Sequence, residues 1–139
     1  MSLADLGRRA VTCKHWRWME GMQVEPLRFR VVWLTEDMIG ESDQTSYFWK
    51  NVPDIFPDLS DPATLGCLLA LVREAWPHEW HQFMVPIFDG ISHWYVGCLM
   101  PGTSRIVMPT RVMKNGLLDA LPPKPTEAEA LVAALEAAP

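Results

Sequence analysis

The clearest pattern of apolar and polar positions lies between Pro57 and Pro77, in PDLSDPATLGCLLALVREAWP. Asp61 can accept hydrogen bonds from the amides of a first helical turn, and Pro62 suits the first helical position. Pro77 ends the helix because proline lacks an amide hydrogen. The spacing therefore predicts a core helix at about 62–76, whose apolar stripe consists of Leu65, Leu68, Leu69, Val72 and Trp76.

Two capping boxes predict the remaining helices. Ser2 with Asp5 opens a short N-terminal helix, and Thr126 with Glu129 opens a C-terminal helix. A Pro-rich stretch precedes the second of these and is expected to act as a stiff linker. The predicted bounds are 122–125 for the linker and 127–138 for the helix.

Alternation of apolar and polar residues predicts the strands. In LRFRVVW, residues 27–33, the apolar side chains would lie on one face and the arginines on the other. Asp89-Gly90 separates two apolar runs and predicts a hairpin. Gly66, inside the predicted core helix, is interpreted as a point of close packing against the sheet. The sequence thus predicts an α+β fold, a mostly antiparallel sheet with helices packed on one face, in a single domain over 1–139.

Composition indicates a globular chain, since 49% of its 139 residues are hydrophobic and 21% are charged. Its three cysteines are an odd number at wide spacings, which favours reduced thiols. No apolar run approaches the roughly 18 to 20 residues that span a bilayer, and the N-terminus lacks the apolar core of a signal peptide. We therefore expect a cytoplasmic protein with no membrane partner.

Motifs for catalysis or metal binding are weak. His78 and His81 do not have the spacing of a zinc protease, and His93 with Cys98 does not have that of a zinc finger. Ser92 precedes His93, but no nucleophile motif surrounds it. We therefore expect no enzymatic activity, no bound metal and no other cofactor.

Charge is distributed unevenly along the chain. Residues 1–30 carry six Lys or Arg and three acidic residues, a net +3, whereas residues 36–61 carry seven acidic residues and Lys50, a net −6. The whole chain has a net charge of −5, which disfavours direct binding to nucleic acid because phosphate contacts need positive charge. The acidic segment is either a solvated loop or a surface that engages a basic partner, such as a nucleic-acid-binding protein.

Aromatic residues within the acidic segment could anchor such a contact. If Trp49 is exposed, it belongs to the partner surface; the alternative is that its ring lies in the core. The predicted partner-binding residues are Glu36, Asp37, Glu41, Asp43, Tyr47 and Trp49.

Three segments resemble small accessory proteins of tailed phages and prophages, a group without assigned chemistry. They are LADLGRRAVTCKHWRWMEGM, PDLSDPATLGCLLALVREAW and PTEAEALVAALEAAP, and the part of the acidic segment before Pro57 is not among them. The resemblance implies a phage-type accessory protein that acts in the cytoplasm of a bacterial host. Two functions follow as expectations: a non-catalytic inhibitor of a host defence complex, of the anti-CRISPR or another anti-defence type, or a phage structural, assembly or self-associating protein.

Overall fold

A computed structural model describes residues 1–76, 84–99, 106–107, 112–114, 117–119 and 123–139, with residues 98–119 described by backbone alone. Within these residues the chain forms three α-helices and eleven short strands, which confirms the α+β class. All the strand pairs among them are antiparallel, and they belong to several small sheets. None of the helices in these ranges is long and apolar enough to cross a membrane.

The chain divides into two compact units, Met1–Cys67 and Leu68–Pro139. The boundary falls within helix α2, Pro62–Ala75, which contributes residues to both. A single domain over 1–139 therefore stays a prediction.

The first unit contains helix α1, Leu3–Val11, the first turns of α2 and two three-stranded sheets. The strands are β1 Gln23–Glu25, β2 Phe29–Arg30, β3 Trp33–Leu34, β4 Met38–Gly40, β5 Ser46–Phe48 and β6 Phe56–Pro57. One sheet has the order β2-β1-β6 and the other has the order β3-β4-β5. A short 3-10 helix, Trp49–Asn51, follows β5.

Helix α1 begins at the predicted cap. The Ser2 hydroxyl accepts a hydrogen bond from the Asp5 amide at 3.1 Å and donates one to the Asp5 carboxylate at 2.6 Å. Leu6 is buried, whereas Leu3 at the start of the helix is 44% exposed. A side chain at Gly7 would place its Cβ 2.8 Å from the Pro57 carbonyl oxygen. Glycine at this position thus allows α1 to approach β6 closely.

Helix α2 begins after Asp61, whose carboxylate accepts a hydrogen bond from the Thr64 amide at 2.9 Å. Of the predicted stripe, Leu68, Val72 and Trp76 are buried, while Leu65 and Leu69 are half-buried. Gly66 is exposed, and a Cβ there would meet no described atom within 4 Å. The interpretation of Gly66 as a close-packing point is therefore wrong, because this position faces open space.

Within its described residues, the second unit contains the rest of α2, helix α3 Glu127–Ala137 and five strands. The strands are β7 Met84–Phe88, β8 Trp94–Leu99, β9 Ile106–Val107, β10 Val112–Lys114 and β11 Leu117–Asp119. They form the sheet β7-β8-β9 and the pair β10-β11. Thr126 caps α3 by accepting from the Glu129 amide at 3.1 Å. The Trp76 indole donates to the Ala134 carbonyl at 3.0 Å, which joins the end of α2 to α3 within this core.

The predicted strand 27–33 is interrupted in the structure. Val24 pairs with Phe29, so Leu27 and Arg28 belong to the connecting turn, where Arg28 has a positive φ of 55°. The chain then changes sheets: the Val31 amide donates to Met22, and the Val32 amide donates to Gly40. A change of pairing partner after Val31 therefore ends β2 and starts β3.

The hairpin predicted at Asp89-Gly90 is present, with a longer loop than two residues. Phe88 pairs with Trp94, which leaves residues 89–93 in the loop. Gly90 has a φ of 85°, a conformation that glycine adopts readily.

Candidate functional site

The sheet β3-β4-β5, which we call the central sheet, and its two connecting turns contain five of the six predicted binding residues. Trp33 pairs with Gly40 and Gly40 with Ser46, while Ile39 lies between Leu34 and Tyr47. Turn 35–37 connects β3 to β4, and turn 41–45 connects β4 to β5. The chain therefore runs up and down through three neighbouring strands.

The four predicted carboxylates are divided between these turns. Glu36 and Asp37 lie in turn 35–37, and Glu41 and Asp43 lie in turn 41–45; all four residues are exposed. Successive turns of an up-and-down sheet lie at opposite ends of its strands, and three residues of β4 span about 10 Å. The sequence suggests one acidic surface, whereas the structure has an acidic turn at each end of the central sheet.

Trp49 lies against turn 35–37. Its backbone amide donates to the Asp37 carbonyl at 3.3 Å, and its indole nitrogen donates to the Glu36 carbonyl at 3.1 Å. The Lys50 ammonium lies 5.4 Å from the centre of the Trp49 ring. The ring is half-buried, so its position is between the two alternatives considered from the sequence.

Tyr47 connects the other acidic turn to the core. Its hydroxyl donates to the Glu41 carboxylate at 3.1 Å, and its ring stacks on the buried Phe29 with centres 5.1 Å apart. The hydrogen bond to Glu41, together with partial desolvation, raises the pKa of Tyr47. Glu41 is thus held in place, and Asp43, in the middle of the turn, is exposed.

The opposite face of the central sheet carries apolar side chains. Residues alternate between faces along a strand, so Trp33, Met38 and Phe48 share the face turned away from Tyr47 and its neighbour Phe29. We call these three residues the outer face. Phe48 is 54% exposed, and Trp33 and Met38 are half-buried.

Trp33 crosses the neighbouring strand at Gly40. A Cβ at Gly40 would collide with the Trp33 indole, so the absence of a side chain lets the ring lie across β4. The indole nitrogen donates to the Ser42 carbonyl at 2.8 Å. Sequence analysis missed the outer face because it assigned Trp33 to one long strand; the alternation in Ser46–Phe48 and the glycine at position 40 were the available signals.

Ser92, His93 and Asp89 come together in the β7–β8 loop, but their geometry is that of a turn. Ser92 Oγ lies 2.7 Å from His93 Nδ1, and Asp89 Oδ2 lies 3.9 Å from the same nitrogen. A catalytic triad places the serine and the carboxylate on different ring nitrogens. The other Asp89 oxygen accepts from the amides of Ile91, Ser92 and His93, and these bonds lower the pKa of Asp89.

Within the described ranges, no group of three His, Cys, Asp or Glu side chains is placed to hold a metal ion. Cys13 and Cys67 are half-buried and are not in disulfide bonds, and burial raises the pKa of Cys67. His78 and His81, and the side chain of Cys98, lie outside the described residues.

Comparison of the chain with models of protein families, with curated proteins and with solved structures yields no match. The resemblance to phage accessory proteins and the partner-binding role of the central sheet therefore remain predictions.

Proposed function

We propose that this protein acts without catalysis, by binding a basic partner protein through the central sheet. The observation that carries the proposal is the outer face of Trp33, Met38 and Phe48, which lies between two acidic turns. Exposed aromatic residues are effective anchors in protein interfaces, and surrounding charges steer the encounter with a partner of opposite charge.

The fixed position of both turns favours this function. The Trp33 indole is bonded to turn 41–45 at Ser42, and the Trp49 indole is bonded to turn 35–37 at Glu36. Each acidic turn is thus held by a tryptophan side chain. A surface that is already ordered loses less conformational entropy on binding.

The proposed partner is a host protein complex that binds nucleic acid, and the proposed role is inhibition of a bacterial defence system by a phage-type accessory protein in the host cytoplasm. Nucleic-acid-binding proteins present lysine and arginine side chains that contact phosphates. The carboxylates of the two acidic turns can pair with these lysine and arginine side chains in place of the phosphates. The phage assignment is supported by the resemblance of the three sequence segments, which lie mainly outside the central sheet.

Capture from bacterial lysate tests the proposal with a matched pair of proteins. The wild-type chain is compared with a variant that carries Glu36→Gln, Asp37→Asn, Glu41→Gln and Asp43→Asn, after circular dichroism has shown that both fold. We expect the wild type to retain a nucleic-acid-binding complex that the variant loses, and the retention to weaken as salt increases. Equal retention by both proteins would overturn the proposal, and retention of capsid or tail proteins would favour a phage assembly role.

A further inference from the structure

Strand β5 is an edge of the central sheet. The strand order is β3-β4-β5, and within the described ranges β5 pairs with β4 alone. One side of Ser46–Phe48 is therefore unpaired there. Phe48, at the end of the strand, is 54% exposed.

The hydrogen-bond pattern identifies the backbone groups that point away from the sheet. The Glu41 amide donates to the Thr45 carbonyl at 2.9 Å, and the Trp49 amide donates to the Asp37 carbonyl at 3.3 Å. In an antiparallel pair the bonded residues alternate, so Tyr47 is the residue of β5 that exchanges bonds with β4. The amide and carbonyl groups of Ser46 and Phe48 consequently point towards the open edge.

The open edge is only three residues long, but its sequence lacks the other common protection against further pairing. Edge strands are commonly blocked by a charged side chain or a proline within the strand. The segment 44–48, QTSYF, contains neither. An extended chain can therefore pair with this edge through main-chain hydrogen bonds, as in recognition by β-strand addition.

The charges at both ends of the strand indicate what kind of chain fits. Asp43 and Glu41 lie just before β5, and Asp37 lies beside Trp49 just after it. A second copy of this protein would bring another segment 36–50, with four carboxylates and the single cation Lys50, so the net like charge opposes binding. A segment that carries lysine or arginine would instead have favourable contacts at both ends.

We propose that the open edge of β5 binds an extended, lysine- or arginine-bearing segment of the partner as an additional strand. This inference rests on the proposed function and specifies the form in which the partner presents its positive charge. The outer face contributes Phe48 to the contact, because its side chain lies beside the edge.

The test uses the synthetic peptide acetyl-Lys-Val-Lys-Val-Lys-Val-Lys-amide and two versions of it, one N-methylated at alternate residues and one N-methylated at every residue. All three have the same charge, but the first methylated version keeps one pairing edge and the second keeps none. We expect the wild-type protein to bind the unmodified peptide and the version with one edge, and to lose at least roughly tenfold in affinity for the version with none, as expected for lost backbone bonds. Titration calorimetry at low salt measures the three affinities.

Variants of the protein give an independent readout. Ser46→Pro removes the amide hydrogen at the open edge, a substitution that edge strands tolerate, while Ser46→Ala keeps it. We expect the proline variant to bind the unmodified peptide roughly tenfold more weakly than wild type, and the alanine variant to stay within about twofold. If Ser46→Pro does not fold, the methylated peptides still decide the question with the wild-type protein.

Three outcomes would overturn the inference. Equal binding of all three peptides would show that charge alone holds them. Absence of peptide binding by the wild type would exclude an open pairing edge for basic chains. A wild-type dimer in sedimentation that Ser46→Pro converts to a monomer would make a second copy the occupant. Each of these results is independent of the capture experiment, which compares the wild type with the variant that lacks the four carboxylates. Failure of strand addition is therefore distinguishable from failure of the proposed function.

Discussion

Arg30 and Asp61 form a two-point ion pair between β2 and the start of α2. The two nitrogen–oxygen distances, Nη1 to Oδ2 and Nη2 to Oδ1, are both 3.0 Å. Asp61 Oδ2 also accepts from the amide of Thr64 at 2.9 Å and from its hydroxyl at 2.8 Å. One carboxylate thus caps a helix and holds a strand, and the bond to Arg30 is the main reason that the pKa of Asp61 is lowered to about 2.

The Arg30–Asp61 pair predicts a loss of stability in acid. A carboxyl group with a pKa lowered on folding stabilises the folded protein above its unfolded pKa, here near 3.8, and this contribution is lost as the pH falls towards 2. Asp61→Asn keeps a capping side chain but removes the charge. We expect the wild type to be more stable than the variant at pH 6, and the difference to shrink between pH 4 and pH 2 in thermal unfolding. A constant difference across that range would contradict the assigned pKa.

A second prediction concerns the buried side of α2. Leu68 has no exposed surface. Leu68→Ala should lower the free energy of unfolding by about 2 to 5 kcal/mol, and Leu68→Asp should prevent folding or solubility because it buries an unpaired charge. Urea unfolding and the yield of soluble protein check this. A cooperatively folded, soluble Leu68→Asp protein would show that the position is not in the core.

Gly66 offers the opposite prediction on the same helix. It is exposed, and its Cβ position is free of neighbouring described atoms. Gly66→Ala should therefore raise the free energy of unfolding by about 0.5 to 1 kcal/mol, because alanine loses less backbone entropy in a helix. Urea unfolding measures the change. A loss of stability would contradict the open surroundings of this position.

The helix caps were predictable from the sequence because they depend on residues three positions apart. Ser2, Asp61 and Thr126 each bond the amide that the sequence pattern assigns to them. Helix α2 ends at Ala75 where the pattern predicts about 76, and α3 ends at Ala137 where it predicts about 138. Local hydrogen bonding and the helical repeat are sufficient for such features.

The strands and the candidate site depended on contacts that a local pattern does not contain. Val31 and Val32 look like one strand, yet Val31 bonds to Met22, just before β1, and Val32 bonds to Gly40 of β4, in another sheet. The acidic segment looks continuous, yet two reversals of the chain place its carboxylates at opposite ends of β4. Pairing register is determined by distant residues, so the outer face was not identified from the sequence.

Trp49 should contribute more to the order of turn 35–37 than to global stability. Trp49→Phe keeps an aromatic ring but removes the bond from the indole nitrogen to the Glu36 carbonyl. We expect a loss of about 1 kcal/mol or less in unfolding free energy. We also expect the substitution to speed hydrogen exchange of the amides in turn 35–37 more than that of the amides in turn 41–45. Equal exchange in wild type and variant would show that the indole bond does not order the turn.

The contact between Gly40 and Trp33 predicts that a single methyl group will disturb the outer face. In Gly40→Ala the new Cβ would collide with the indole, so the ring must leave its position across β4. The bond from the indole to Ser42 would then be lost as well. We expect a decrease of about 1 to 3 kcal/mol in the free energy of unfolding, as for other overpacked sites, and a change in tryptophan fluorescence.

Gly66→Ala is the matched control for this substitution, since it adds the same methyl group where no described atom is close. Partner binding separates the two variants further. If the outer face contacts the partner, Gly40→Ala should weaken capture from lysate under conditions where the protein is still folded, and Gly66→Ala should not. A folded Gly40→Ala protein with displaced Trp33 and unchanged capture would exclude Trp33 from the partner contact and restrict the binding surface to the acidic turns and the edge of β5.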